Sequence, residues 1–281
     1  MRYKSRFYQA ILTAIFLVVV AKPAAAQTSY LKHLEACNGG KRFTIETQIS
    51  ACMHIVKAAA IKPRGMAIAH NNLGNAYIKK GNYQNAISSF NEALKIQSDY
   101  TKAYNNRGVA YQKSGKHELA IDDFNKAISL DPNYASAFAN RAETYQMKNE
   151  YELAARDYDR VFQLQPNWAA ARNGRCWTHA IVGNLELALS ECNEALRLEP
   201  NIAATFDSRG LVHLKMSRWD AAIADYNSAL RLEARLTSSL YGRGLAKLKK
   251  GDATGRADIK TAIARSANIA REYSKYGLGS E

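Results

Sequence analysis

The chain has 281 residues, four cysteines and a formal net charge of +14. Such a length ordinarily packs as one or two globular domains, and beyond the first residues no stretch is long and apolar enough to cross a bilayer as a helix. The basic balance favours anionic partners, or simply a solvated cationic surface.

Residues 1–26, MRYKSRFYQAILTAIFLVVVAKPAAA, place Arg2, Lys4 and Arg6 before an apolar run from Ala10 to Ala21, and close on small residues up to Ala26. That order is the order of a secretory signal peptide. The apolar run is well short of the roughly 20 residues a spanning helix needs, so a cleaved leader is the favoured reading and an uncleaved anchor the alternative. Cleavage after Ala26 lowers the charge from +14 to +10 and leaves Gln27, not a lipid-bearing cysteine, at the new N-terminus. The mature chain is expected to be soluble and periplasmic or secreted, in a compartment where disulfides persist. Nucleic acid is scarce there, so no nucleic-acid partner is expected. Acidic proteins, cell-wall polymers or lipid headgroups are the anionic candidates.

From Ala67 onward the chain repeats itself every 34 residues. The first rows read AIAHNNLGNAYIKKGNYQNAISSFNEALKIQSDY and TKAYNNRGVAYQKSGKHELAIDDFNKAISLDPNY, and further rows open at Ala135, Ala169 and Ala203, with a weaker one at Thr237. The eighth place of each row is small: Gly74, Gly108, Ala142, Cys176, Gly210 and Gly244. The eleventh holds Tyr77, Tyr111, Tyr145, His179 and His213; the twentieth holds Ala86, Ala120, Ala154, Ala188 and Ala222. The twenty-fourth holds Phe90, Phe124, Tyr158, Cys192 and Tyr226, and Pro132, Pro166 and Pro200 punctuate the row ends. Apolar and small residues recur at helical spacing in two blocks per row, split by turns such as KKGN. Each row is therefore predicted to be a helix, a turn and a second antiparallel helix, brought close by the small residues with the aromatic filling the space beside them.

This pattern resembles the tetratricopeptide repeat family, in register over five rows, 67–100, 101–134, 135–168, 169–202 and 203–236. The resemblance implies an all-α, right-handed solenoid of stacked helix-turn-helix units. Residues 27–66 then read as a degenerate N-terminal cap. Residues 237–281 read as a degenerate last repeat and a closing helix, IAREYSKYGLGSE, with Tyr273 and Tyr276 as its packing residues.

Within this register Cys176 and Cys192 take the places of a glycine and an aromatic that face each other across one helix pair. Aligning residues 48–52 with residues 86–90 puts Cys52 at the aromatic place and, with a shorter turn, Cys37 at the small place. The register thus selects Cys37–Cys52 and Cys176–Cys192 among the three pairings four cysteines permit; four buried free thiols are the alternative. No Cys-x-x-Cys or histidine cluster suggests a metal. The seventh place carries Arg107, Arg141, Arg175 and Arg209, and 16 residues on stand Asp123, Asp157, Glu191 and Asp225. An Arg–carboxylate bridge in each of these rows is expected, so these arginines read as structural.

No nucleophile elbow, phosphate loop or zinc-helix motif is present, so neither catalysis nor a cofactor is expected, and His179 and His213 read as core histidines in place of a packing tyrosine. Binding is expected on the first helices, which line the inner wall in this family. Asn72, Asn106 and Asn140 recur there one row apart, with Asn75 and Lys102 beside them, and side-chain amides can grip an extended peptide backbone. Asparagines bonded to neighbouring helices or to water are the alternative. Gly174 and Ser208 interrupt the series. In the second half Trp177, Leu211 and Tyr241 fall on the same wall, giving an apolar stretch suited to a peptide or a partner helix; packing between rows is the alternative. The expected role is a non-enzymatic scaffold or adaptor of the bacterial periplasm that binds a protein or peptide client in its concave groove. A self-assembling envelope subunit and a binder of an anionic cell-wall polymer are the alternatives.

Overall fold

The computed structural model describes residues 24–40, 42–57 and 62–279. Residues 1–23, most of the expected signal peptide, lie outside the described residues; Ala24–Ala26 open the first helix. The described residues form fifteen α-helices. Seven antiparallel pairs follow one another: α1 (Ala24–Cys37) with α2 (Ile45–Lys57), α3 (Pro63–Lys79) with α4 (Tyr83–Ile96), and α5 (Thr101–Lys113) with α6 (His117–Leu130). Next come α7 (Ala135–Met147) with α8 (Tyr151–Leu164), and α9 (Ala169–Val182) with α10 (Leu185–Leu198). The stack closes with α11 (Ala203–Lys215) and α12 (Trp219–Leu232), then α13 (Thr237–Lys249) and α14 (Gly255–Arg265), and α15 (Ile269–Lys275) follows alone. α3 starts at Pro63, ahead of the row frame that opens at Ala67, because proline's fixed φ suits the first helical turn.

Local chemistry sets these boundaries. From the second pair to the seventh the turn reverses through one residue with positive φ, Gly81, Gly115, Asn149, Gly183, Ser217 and Gly251, each one row apart, whereas the first turn has two, Gly39 and Gly40. The Asn82 side chain then accepts the Asn85 backbone N–H at 3.2 Å and caps α4. Between pairs, the Asp131 carboxylate accepts the Asn133 N–H at 3.0 Å beside Pro132, a turn that proline makes incompatible with continued helix.

Packing within a pair depends on an aromatic lying against a residue with no side chain. A Cβ added at Gly74 would sit 2.6 Å from the Phe90 ring, and one at Gly108 would sit 2.6 Å from Phe124. Ala86, Ala120, Ala154, Ala188 and Ala222 are fully buried, which keeps the two helices close. In the last pair the turn is longer, and the contact becomes backbone on backbone: a Cβ at Gly255 would meet the Gly244 carbonyl at 2.4 Å.

First helices touch first helices along the whole stack, α1 to α3, α3 to α5 and onward to α13 and α15, whereas among the described residues no second helix contacts another second helix. The first helices therefore crowd the inner, concave wall and the second helices fan out on the convex side. The result is an all-α solenoid in which each pair buries its face on its neighbours.

Candidate functional site

Two kinds of staple hold the wall in shape. Cys37 at the end of α1 and Cys52 in α2 are bonded with Cα atoms 4.6 Å apart; Cys176 in α9 and Cys192 in α10 are bonded at 5.3 Å. Both bridges lie within one helix pair, and Cys52, Cys176 and Cys192 are fully buried.

The second staple is the arginine series. Arg107 grips Asp123 with two N–H groups, Nε to Oδ2 at 2.8 Å and Nη2 to Oδ1 at 2.7 Å. Arg141 holds Asp157 in the same fork at 2.7 and 2.6 Å, and Arg209 holds Asp225 at 2.8 and 2.7 Å. The guanidinium has a further N–H, and it reaches back one repeat: Arg107 donates to Asn91 at 2.7 Å, Arg141 to Asn125 at 2.5 Å and Arg209 to Asn193 at 2.8 Å. Each arginine thus joins an acid of its own pair to an amide of the preceding one. Arg243 does the same with Asp258 and Asn227, and Lys247 adds a contact to Asp258 at 2.8 Å. Asp258 escaped the sequence reading because it stands 15 rather than 16 residues on.

Arg175 departs from the fork. The preceding repeat presents Asp159 where the others present asparagine, so Arg175 splits between Asp159 at 2.7 Å and Glu191 at 2.6 Å. Arg172 supplies the second contact to Glu191 at 2.7 Å. His179, buried, lies 3.2 Å from the same Asp159. His213 lies 3.7 Å from Asp225, so each histidine faces its own carboxylate. Among the described residues no group of histidine, cysteine or acidic side chains could hold a metal ion.

On the concave wall the asparagines form a head-to-tail chain that the sequence reading did not foresee in full. Asn72 donates to Asn38 at 3.1 Å, Asn106 to Asn71 at 3.0 Å and Asn140 to Asn105 at 2.9 Å. Within each helix the link is closed by Asn71 donating to Asn72 at 3.5 Å and Asn105 donating to Asn106 at 3.3 Å. The alternative of bonds to neighbouring helices therefore describes Asn72, Asn106 and Asn140. The buried partners Asn71 and Asn105 were missed, although they too recur one row apart. Every amide in this chain carries a second N–H and a further lone pair. Asn75 joins Asn38, Gln48, Asn72, Lys79 and Asn106 around an open cleft of ≈ 310 Å³. Lys102 is exposed and stands outside that cleft.

The chain of amides stops because Ala139 stands in the acceptor place of Asn71 and Asn105, and because the next donor place is filled by a ring. A Cβ at Gly174 would meet the Tyr158 ring at 2.4 Å, so Tyr158 takes the space in which Asn106 and Asn140 sit elsewhere. One row later Ser208 turns its hydroxyl to the Ala204 carbonyl at 2.9 Å. The buried Asn173 oxygen, which corresponds to the acceptors of Asn71 and Asn105, has no protein partner.

In the apolar half the wall is covered by the chain itself, as the alternative of internal packing has it. Leu211 and Tyr241 are buried and Trp177 half-buried in one core cluster with Ile269 and Tyr273 of α15 and, beyond its end, Tyr276 and Leu278. Tyr273 packs on Tyr241 with ring centres 4.8 Å apart, and Tyr276 meets the Trp177 ring edge-on at 5.5 Å. Trp177 in turn meets Tyr151 at 5.7 Å. The Tyr273 hydroxyl donates to the Ser238 carbonyl at 2.8 Å, Lys215 donates to the Tyr276 carbonyl at 3.0 Å, and Lys275 reaches Asn149 at 3.3 Å. Beneath α15, Asp207 accepts from Ser238 at 2.9 Å and Ser239 at 2.5 Å; burial pushes its pKa up to about 6 against these two hydrogen bonds. Burial also lowers the pKa of Lys215. Asp207 did not stand out in the sequence because it is the one acid at its row place, and Lys215 did not because Lys79, Lys113 and Lys249 share its place without any sign that one of them is buried.

No helix among the described residues is long and apolar enough to cross a membrane. No curated protein matches the chain by sequence. Solved structures share its architecture. A tetratricopeptide repeat protein from Parabacteroides merdae is 20% identical, with a TM-score of 0.65 over 89% of this chain and 98% of that one. A Pseudomonas aeruginosa pilF structure is 19% identical, with a TM-score of 0.61 over 77% and 97%. YrrB, described as a TPR protein with an unusual peptide-binding site, is 20% identical, with a TM-score of 0.55 over 69% and 98%. At these identities the likeness concerns the fold. Tetratricopeptide repeat models match residues 101–134, 124–156 and 208–266, and a TPR repeat model matches residues 74–115. With these matches spread over about half of the chain, and with the stacked helix pairs, the chain belongs to the tetratricopeptide repeat family.

Proposed function

We propose that this protein is a non-catalytic scaffold that binds an extended segment of a protein client along the N-terminal half of its concave wall. The chain of amides carries this reading. Asn38, Asn72, Asn106 and Asn140 are linked across successive repeats, so their orientation is fixed before a ligand arrives, and each keeps donor and acceptor capacity. A row of pre-oriented amides next to an open cleft suits a peptide backbone, whose N–H and C=O groups recur along its length whatever its side chains. Pre-orientation also lowers the ordering cost of binding. The tetratricopeptide repeat family and the peptide-binding relative YrrB agree with such a role.

The client is proposed to be met outside the cytoplasm, in the bacterial periplasm. The leader-like residues 1–26 and two intramolecular disulfides support that location. A photo-crosslinking side chain at Asn75, which lines the cleft without belonging to the amide chain, tests the reading in envelope preparations. The same group at Lys126, exposed on α6, is the control. Adducts to a discrete client at position 75 and not at 126 are expected. Equal labelling at both positions, or none at 75, rejects the groove as the binding surface.

A further inference from the structure

The C-terminal half of the concave wall is covered by the chain's own last helix. α15 is seven residues long and is joined to α14 by residues 266–268 alone. Stacking on the preceding pair would bring it only to α13 and α14, yet its end reaches Trp177 on α9, Lys215 on α11 and Asn149 before α8. It therefore lies along the groove and not at the end of the solenoid.

Its grip has three parts. Tyr273 and Tyr276, three apart and hence on one helical face, seat on Tyr241 and Trp177. The ammonium of Lys215 stands at the C-terminal end of α15, donating to the Tyr276 carbonyl at 3.0 Å and to the Ile181 carbonyl at 3.3 Å. Lys215 is half-buried, and among the described residues it has no carboxylate within ion-pair distance. A cation at a helix C-terminus is favourable because the last carbonyls are unpaired and carry the negative end of the helix dipole. The third part is a limit: a helix this short does not hold its shape alone in water, where about 12–15 residues are marginal. The groove supplies its order, so leaving the groove also unfolds it.

We propose that this half of the wall is a docking site for a partner helix with two aromatic residues three apart and its C-terminal carbonyls over Lys215, and that α15 is the resident competitor. This site is separate from the amide row, and its test does not depend on that reading. Competition of this kind lowers a partner's apparent affinity by the fraction of molecules in which α15 is out. A surface formed by Trp177, Leu211, Tyr241 and Leu245 is the kind of apolar patch that marks an interaction site when uncovered.

Two measurements on the full chain test the proposal. In hydrogen exchange, the amides of α15 should exchange at least about tenfold faster than those of α13; equal protection overturns the proposal, because α15 would then open only with the fold. In the second, the synthetic peptide NIAREYSKYGLG is titrated into the wild-type chain and into Tyr276→Ala. It should bind Tyr276→Ala at least about tenfold more tightly than wild type, and replacing both of the peptide's tyrosines with alanine should abolish binding. A helical Tyr276→Ala chain that does not bind the peptide overturns the proposal. Should that variant fail to fold, the exchange measurement on the wild type decides.

Discussion

Gly174 of α9 lies directly against the ring of Tyr158 in α8, so closely that a Cβ there would come within 2.4 Å of the ring. The contact crosses from one repeat to the next, and together with Ala139 in the acceptor place it explains why the asparagine row ends where it does. Gly242 repeats the relationship with Tyr226, where a Cβ would come within 2.3 Å of the ring. Where the aromatic is Phe90 or Phe124, the corresponding places are Asn106 and Asn140. Gly174→Ala should therefore overpack a full interface and cost about 2 kcal/mol. Urea unfolding of the variant checks this, and an unchanged midpoint would mean that the ring moves aside freely.

Arg141 ties Asp157 in its own pair to Asn125 in the preceding one, and Asp157 is buried. Arg141→Met removes one partner and leaves a carboxylate behind in a poorly hydrated place. A loss of about 3 kcal/mol is expected, read as a lower melting temperature, with crosslinking at Asn75 unaffected.

Asp207 gives the stability a pH dependence of definite sign. Its pKa is raised from 3.8 to about 6 in the folded chain, so between these values the folded form keeps a proton that the unfolded form has released. Stability therefore falls as pH rises through that window and stays lower above it. Asp207→Asn keeps an acceptor for Ser238 and Ser239 but carries no charge. It should be more stable than wild type at pH 7, with the advantage disappearing towards pH 4; denaturant midpoints at the two pH values measure it.

Ser217 occupies the turn place held by glycine in four other repeats, at φ 60°. A non-glycine residue in this left-handed conformation costs about 1 kcal/mol. Ser217→Gly should recover part of that and raise the melting temperature. Asn149, at φ 61°, is the poorer site for the same change because its side chain receives Tyr151 and Lys275.

Relationships confined to one repeat were legible in the sequence. Cys176 with Cys192 and Arg107 with Asp123 share a separation of 16, and in the helix pair that separation brings one helix against the other. Relationships between repeats were harder to read. Asn106 meets Asn71 at a separation of 35, one row plus one residue, because neighbouring helices are displaced along their axes. The periodicity recorded both asparagines without indicating that they touch. The seating of α15 was least legible: Lys275 and Asn149 are 126 residues apart, and their meeting depends on the curvature accumulated over several repeats. Tyr273 and Tyr276 were recognisable as packing residues, but the spacing did not say against what.

The absence of a guanidinium at one junction has a mechanical consequence. Leu73 stands where the later repeats place arginine, and Ser89, in place of the acid, turns its hydroxyl to its own helix. The first hairpin is thus joined to the second by apolar contact, amides, a Lys79–Gln48 hydrogen bond and an exposed Lys80–Glu46 pair at 3.9 Å, without the arginine clasp that couples the pairs behind it, and it is internally secured by its own disulfide. Under load or heat the array should therefore part first at this seam, releasing α1 and α2 as a tethered unit while the clasped repeats melt later and together.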